Sequence, residues 1–313
     1  MLKDIFTILV FPGFCFLLVA GWFFQYFDRK LYARFQNRIG PPWFQPFADF
    51  VKLLGKEDIV PKEADPYMFP FVPVVALTGV LTAILYIPLW ETSAAYSFSG
   101  DLIVVLYLLT LPTFTFFLAG WYSSSLFSVI GAMRSQMQFF AYEVPLFLAI
   151  LAPALIANTW SLSEMTVFYS THSGYWIFNI VGFVVAIICL LGKLEKVPFD
   201  TPDAETEIVG GPFTEYSGRY LAFFKLAMDV ELVVVAALIA AVFLPFGLSW
   251  HPAIGILFFL VKISFVIVLT TAARAMMARL RIDQMIEFCW IYLAPAALIQ
   301  VLFNLGVKGV AGL

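Results

Sequence analysis

The sequence predicts an all-α, polytopic membrane protein with eight transmembrane helices. Of its 313 residues, 62% are hydrophobic and only 12% are charged, whereas an ordinary soluble domain has about 25% charged residues. This leaves too few charged side chains to cover a water-exposed surface, so most of the surface must face lipid. The 35 phenylalanines fit a lipid-facing surface as well. A soluble fold is therefore excluded.

Eight apolar runs are long enough to cross a bilayer, which takes roughly 17–25 residues of helix. Unbroken runs of this length favour helices over the short alternating segments of a transmembrane β-barrel. The first run is followed by Asp28-Arg29-Lys30 with no cleavage site, so we expect a retained span. We expect residues 1–313 to form a single transmembrane helical domain. The predicted spans are 5–27, 69–90, 102–121, 139–160, 175–192, 221–246, 252–273 and 285–306.

The positions of the basic residues support this count and predict an orientation. Fourteen of the 18 Lys and Arg residues fall in alternate connections, at 28–68, 122–138, 193–220 and 274–284. Basic residues collect on the cytoplasmic side of membrane proteins. These connections are therefore predicted to be cytoplasmic and both termini to lie outside, in a multi-pass protein of the cell membrane (plasma or inner membrane).

The long cytoplasmic loop near 31–66 is predicted to hold an amphipathic segment at the membrane interface. Aromatic residues such as Trp43 and Phe47 alternate there with charged ones such as Asp49 and Lys52. Loops longer than roughly 12–15 residues are usually functional or disordered, and this mixed pattern is typical of an interfacial helix.

The cytoplasmic loop near 193–220 is acidic, with six carboxylates. Crowded carboxylates repel one another, which raises some of their pKa values and suits them to relaying protons. The alternative is an ordinary solvated loop, but the interleaved apolar side chains argue against that. The carboxylates are Glu195, Asp200, Asp203, Glu205, Glu207 and Glu215.

Several ionisable residues lie within the predicted spans, where each costs several kcal/mol unless it has a partner or a function. Lys225 and Asp229 are four residues apart and can pair along one helix face. Glu143 and Glu231 have no partner nearby in the sequence, and Lys262 lies in the seventh span. Ion movement and a purely structural salt bridge both remain open.

Redox or metal chemistry is not expected in this chain. Cys15, Cys189 and Cys289 lie in separate apolar runs, and His172 and His251 are the only histidines. This composition does not supply an iron–sulfur, zinc or bis-histidine haem site. We also find no nucleophile–base motif or phosphate loop, and a net charge of −3 gives no support for nucleic-acid binding.

Three blocks of sequence resemble the subunit of respiratory complex I that joins the membrane arm to the peripheral arm. They lie in order on the predicted cytoplasmic side and in the adjoining spans. The first block is Arg38-Ile39-Gly40-Pro41 with Gln45-Pro46-Phe47-Ala48-Asp49 and Lys52-Leu53. The second is Gly131-Ala132-Met133-Arg134 with Tyr142-Glu143-Val144. The third is Pro198-Phe199-Asp200, Ala204-Glu205-Thr206-Glu207 and Thr214-Glu215-Tyr216-Ser217-Gly218.

Some features differ from the quinone-reducing members of that family. Only Trp43-Phe44 separates Pro42 from Gln45, and Met228-Asp229 stands where a glutamate is usual. These features look more like the homologous subunit of energy-converting membrane-bound [NiFe] hydrogenases and related ferredoxin-linked complexes. The resemblance therefore makes a quinone site doubtful.

The resemblance implies a non-catalytic membrane anchor and coupling subunit of a ferredoxin-oxidising respiratory complex, either a membrane-bound hydrogenase or a related sulfur reductase. It implies soluble partners with iron–sulfur clusters and, in a hydrogenase, a nickel–iron centre, together with antiporter-like membrane subunits. The residues expected to serve proton or sodium translocation are Glu143, Asp200, Asp203, Glu205, Glu207, Glu215, Lys225, Asp229 and Glu231. Those expected to dock the soluble arm are Arg38, Gln45, Asp49, Lys52 and Arg134.

Two other functions stay open. One is a quinone-binding subunit of a proton-pumping NADH or ferredoxin:quinone dehydrogenase, which would require a quinone for activity. The other is a free-standing secondary ion transporter. Inverted repeats would favour a transporter, and none is evident in the sequence.

Overall fold

The computed structural model describes residues 2–247 and 252–311, and every regular element in these ranges is helical. Eight helical segments there are long and apolar enough to cross a membrane, which confirms the predicted fold class. The α-helices are α1 (Leu2–Leu9), α2 (Phe14–Phe35), α3 (Gln45–Leu54), α4 (Met68–Ala83), α5 (Asp101–Tyr122), α6 (Leu126–Ala157), α7 (Leu162–Thr171), α8 (Ile180–Lys193), α9 (Glu205–Ile208), α10 (Gly218–Phe243), α11 (Pro252–Met276), α12 (Ile282–Phe288) and α13 (Ala294–Ala311).

The first span joins α1 and α2 through a break at Pro12 and Gly13. Proline has no N–H to donate to the helix ladder. A Cβ on Gly13 would lie 1.8 Å from the carbonyl oxygen of Ile8, so only glycine fits where the two helices meet. The last span likewise joins α12 to α13, here through one π-helical turn at Cys289–Leu293.

Two helices extend beyond their predicted ends. The prediction that 122–138 is a loop is wrong, because α6 begins at Leu126. Likewise α2 continues to Phe35 instead of ending at 27. The polar residues that suggested an exit from the membrane, such as Ser135 and Asp28, are buried against other parts of the protein. Low hydropathy therefore marks the edge of the bilayer and not the end of the helix.

The helix α4 ends earlier than predicted. It gives way to a 3₁₀ turn at Ile84–Tyr86 rather than continuing to residue 90. Pro88 follows, and the residue before a proline is disfavoured in helical conformation. The chain is then irregular up to Gly100.

The bundle is arranged around α10. Its residues from Val230 to Phe243 are all buried, and it packs against α2, α3, α4 and α11. The neighbouring α6 packs against α5, α8 and α13. The acidic side chains Glu143 of α6 and Asp229 and Glu231 of α10 are thereby held inside the protein and not against lipid.

Candidate functional site

Three ionisable side chains from three different helices meet inside the bundle. Lys193, at the end of α8, has its Nζ atom 3.5 Å from Oε1 of Glu231 on α10 and 3.9 Å from Oε2 of Glu143 on α6. The ammonium also donates a hydrogen bond to the carbonyl oxygen of Leu109, at 2.6 Å. All three charged side chains are at most 8% exposed. We call Glu143, Lys193 and Glu231 the buried triad.

The buried triad supplies the partner that Glu143 and Glu231 do not have nearby in the sequence. That partner, Lys193, is far from both acids in the sequence. Because it lies at the edge of an apolar run, hydropathy assigns it to the loop that follows. Neither carboxylate oxygen of Glu143 accepts a hydrogen bond from any residue that the structure describes. Buried polar atoms without a hydrogen bond are rare and call for an explanation, which can be functional.

A cavity of about 420 Å³ extends from the buried triad toward the helix α3. It is bounded by α2, α3, α8, α10 and the acidic loop. Half of its twenty lining residues are ionisable, five basic and five acidic. These are Arg29, Asp49, Lys52, Lys193, Glu195, Lys196, Asp203, Lys225, Asp229 and Glu231. A cavity with this lining suits water and ions, since buried charge requires polar partners.

The predicted pairing of Lys225 with Asp229 is not formed. Both residues are described and both line the cavity, but their charged atoms do not come within ion-pair distance. The ammonium of Lys225 lies instead 5.7 Å from the ring centroid of Phe213. Spacing of four residues along a helix permits such a pair but does not require it.

A second charged cluster joins α2, α11 and the acidic loop. Asp28 accepts hydrogen bonds from Nζ of Lys196 and from Oγ1 of Thr271, both at 2.7 Å, and lies 3.5 Å from Nη1 of Arg274. Burial lowers the pKa of Lys196, and the charge of Asp28 opposes that effect. In the sequence, Asp28 and Lys196 stand out only as charges that flank the spans.

The acidic loop is held against α6 by buried polar contacts. Ser135 donates to Oε1 of Glu195 at 2.8 Å, and Gln138 bonds both Thr201 and the carbonyl oxygen of Gly192, each at 2.7 Å. Desolvation raises the pKa of Glu195 to about 7, while the bond from Ser135 opposes that rise. Close packing requires Gly131 here, since a Cβ would lie 2.6 Å from the backbone of the loop.

The other predicted carboxylates are spread along the loop. Asp203 lines the cavity, and Asp200 lies 3.1 Å from Nε of Arg279. Glu207 forms a 2.6 Å ion pair with Arg134, which lowers the pKa of Glu207. Glu205 begins α9, but its side chain is outside the described part. Glu215 is half-buried and does not line the cavity.

The predicted docking residues lie in three places. Asp49 accepts a hydrogen bond from Gln45 at 2.8 Å and pairs with Arg29 of α2 at 3.1 Å, and Lys52 lines the cavity with it. Arg38, in contrast, is exposed on the surface. Arg134 pairs with the acidic loop. The structure thus places three of the five at the junction of α3 and the cavity.

Known proteins share this arrangement of helices. The family model described as NADH dehydrogenase matches residues 6–305. The chain belongs to this family. Within the NADH dehydrogenase family, it is 33% identical to an NADH-quinone oxidoreductase subunit of Carboxydothermus hydrogenoformans, over 96% of this chain and 89% of that protein. It is 34% identical to an NADH-quinone oxidoreductase subunit of Thermus thermophilus, over 91% and 82% of the two chains.

Among solved structures, the chain is similar to one from the membrane-bound sulfane sulfur reductase, an archaeal respiratory membrane complex. The TM-score is 0.85 at 28% identity, covering 93% of this chain and 96% of that one. Relatives of this chain are thus subunits of multi-subunit respiratory membrane complexes. Among the described residues, no group of three or more His, Cys, Asp or Glu side chains is arranged to hold a metal ion.

Proposed function

We propose that this chain is the membrane anchor and coupling subunit of a ferredoxin-oxidising, complex-I-like assembly in the cell membrane, either a membrane-bound hydrogenase or a related sulfur reductase. Its cytoplasmic face docks the soluble redox arm, and its buried charges link that arm to proton or sodium movement. The redox centres, iron–sulfur clusters and, in a hydrogenase, nickel–iron, belong to partner subunits. Antiporter-like membrane subunits complete the assembly.

The observation that carries this proposal is the buried triad at the end of a charged cavity. Two acids share one lysine, so one negative charge is left over when all three groups are ionised. Binding one proton removes that excess, which lets the site take up and release a proton as its surroundings change. The cavity extends from the triad to Asp49 and Lys52 of α3. A change at the docking surface therefore has a short route to the buried acids.

The similarity to NADH-quinone oxidoreductase subunits favours the second candidate, a quinone-binding subunit. The cavity argues against it, because ten ionisable groups around about 420 Å³ suit water better than an apolar quinone ring. The likeness to a chain of the sulfane sulfur reductase favours the first candidate.

The purified complex, reconstituted in vesicles with reduced ferredoxin as the donor, tests the proposal. We expect ion uptake without added quinone. Glu143→Gln and Glu207→Gln should leave assembly and electron transfer intact but lower the number of ions moved per electron. The matched control is Glu91→Gln, in an exposed loop outside the cavity. Normal pumping in both variants would contradict a coupling role, and a strict requirement for quinone would favour the second candidate.

A further inference from the structure

An apolar groove of about 890 Å³ runs along the surface between α2 and the amphipathic helix α3. One wall is a single face of α2, formed by Val19, Trp22, Phe23 and Tyr26, which recur at helical spacing. The opposite wall includes Phe47 and Val51 of α3. Val19 is 63% exposed, Phe23 56% and Phe47 50%. Such a surface on a membrane-spanning chain requires an apolar occupant.

Positive charge lies at the cytoplasmic end of this groove. Lys30 continues the same face of α2 one turn beyond Tyr26, and Arg34 follows after another turn at its edge. Neither forms an ion pair with any residue that the structure describes, although Nζ of Lys30 lies 3.4 Å from the carbonyl oxygen of Pro41. Their position near the end of the span is the depth at which lipid phosphates lie.

We propose that this groove binds an anionic phospholipid, with an acyl chain between α2 and α3 and its phosphate beside Lys30 and Arg34. The apolar walls match the hydrocarbon chain, and the two cations match the headgroup. Trp22 and Trp43 place amphipathic rings along the groove, as aromatic residues do at membrane interfaces.

The contacts between α2 and α3 separate the groove from the charged cavity. The ring of Trp22 lies 5.0 Å from that of Phe47 and 5.6 Å from that of Phe50, measured between centroids. Just beyond these rings is the ion pair of Arg29 with Asp49. A neutral molecule such as a quinone, passing from the groove into the cavity, would have to open this layer of rings and the ion pair behind it. The charges of Lys30 and Arg34 would not help to bind such a molecule. The geometry therefore favours a lipid that stays in place.

Photo-crosslinking in the intact complex tests the proposal. The complex is reconstituted in phosphatidylcholine vesicles containing a trace of phosphatidylglycerol with a photoreactive acyl chain, and labelled peptides are mapped by mass spectrometry. We expect label on residues 19–26 and 47–51, more from phosphatidylglycerol than from a matched phosphatidylcholine probe. Lys30→Gln and Arg34→Gln should each lower the phosphatidylglycerol label by about fivefold, the effect of one basic residue near anionic lipid. Lys62→Gln, which removes an exposed cation outside the groove, is the control.

A second variant tests the groove itself. Ala48→Trp fills the space between the walls and should lower labelling by both probes, whereas the two charge variants leave the apolar walls unchanged. Equal labelling by the two probes would overturn the specificity for an anionic headgroup. Loss of label on adding decylubiquinone, but not on adding unlabelled phosphatidylglycerol, would make the groove a quinone site instead. An unlabelled groove would overturn the proposal and leave a neighbouring subunit as the occupant.

Discussion

Lys193 is the residue that offsets the cost of burying Glu143 and Glu231. A lone carboxylate in a low-dielectric interior costs several kcal/mol, and a nearby ammonium offsets that cost for two of them at once. Because Glu143 and Glu231 approach the same Nζ atom at 3.9 and 3.5 Å, a small displacement of Lys193 would favour one acid over the other. In the proposed coupling role, a displacement of this kind is the simplest local event that would change which acid is neutralised.

Replacing Lys193 by methionine should destabilise the protein strongly. The change leaves two buried carboxylates without a cation, and removing one partner of a buried pair costs about 3–5 kcal/mol. The measurement is the thermal unfolding midpoint of the purified complex, compared with the exposed-site control Lys62→Met. Adding Glu143→Gln and Glu231→Gln to the Lys193→Met variant should recover much of the loss. A Lys193→Met protein as stable as the parent would mean that the triad contributes no net stability.

At the scale of elements, the acidic loop is part of the packed protein and not a solvated stretch of chain. Phe199 and Ile208 of this loop are at most 4% exposed. Its polar side chains bond Ser135 and Gln138 of α6, in the part of that helix that precedes the predicted span. Glu195, held by Ser135, is the titratable group at this junction.

Glu195 should make stability depend on pH. Its folded pKa of about 7 lies above the ordinary value of 4.5, so between these values the folded protein holds a proton that the unfolded chain has released. Stability should therefore fall as pH rises through this window. Thermal midpoints measured from about pH 4.5 to 8 should show a shallower fall in Glu195→Gln. Ser135→Ala, which removes a bond to the carboxylate, should extend the fall to higher pH. Parallel curves for all three proteins would contradict this prediction.

At the scale of the whole molecule, the ion pairs of the described residues are concentrated at the end of the bundle that holds α3 and the acidic loop. The cavity, the Asp28 cluster and the helix α3 all lie there, and α10 connects them to the buried triad. Arg38 stands exposed on this face, whereas Asp49 is paired with Arg29. This division suggests that Arg38 contacts the soluble arm directly and that Asp49 fixes the position of α3.

Loss of either side chain should weaken docking without affecting membrane insertion. We expect Arg38→Ala and Asp49→Ala to release soluble subunits when membranes are washed with salt, while this chain remains in the membrane fraction. The control is Lys308→Ala, since Lys308 bonds Asn158 at the other end of the bundle. Immunoblots of the washed membranes give the measurement. Full retention of the arm in both variants would disprove docking through this loop.

The fold class and the number of spans follow from the amino-acid sequence alone, because insertion into a bilayer requires uninterrupted apolar runs whose length is set by membrane thickness. Glu143, Asp229 and Glu231 can be identified as candidates in the same way, since an acid in such a run is conspicuous. How these acids are partnered emerges only from the packing of the helices. Lys193 meets Glu143 across 50 residues of chain, and Lys196 meets Asp28 across 168. Contacts of this kind depend on which helix faces meet, and hydropathy and helical spacing carry no information about that.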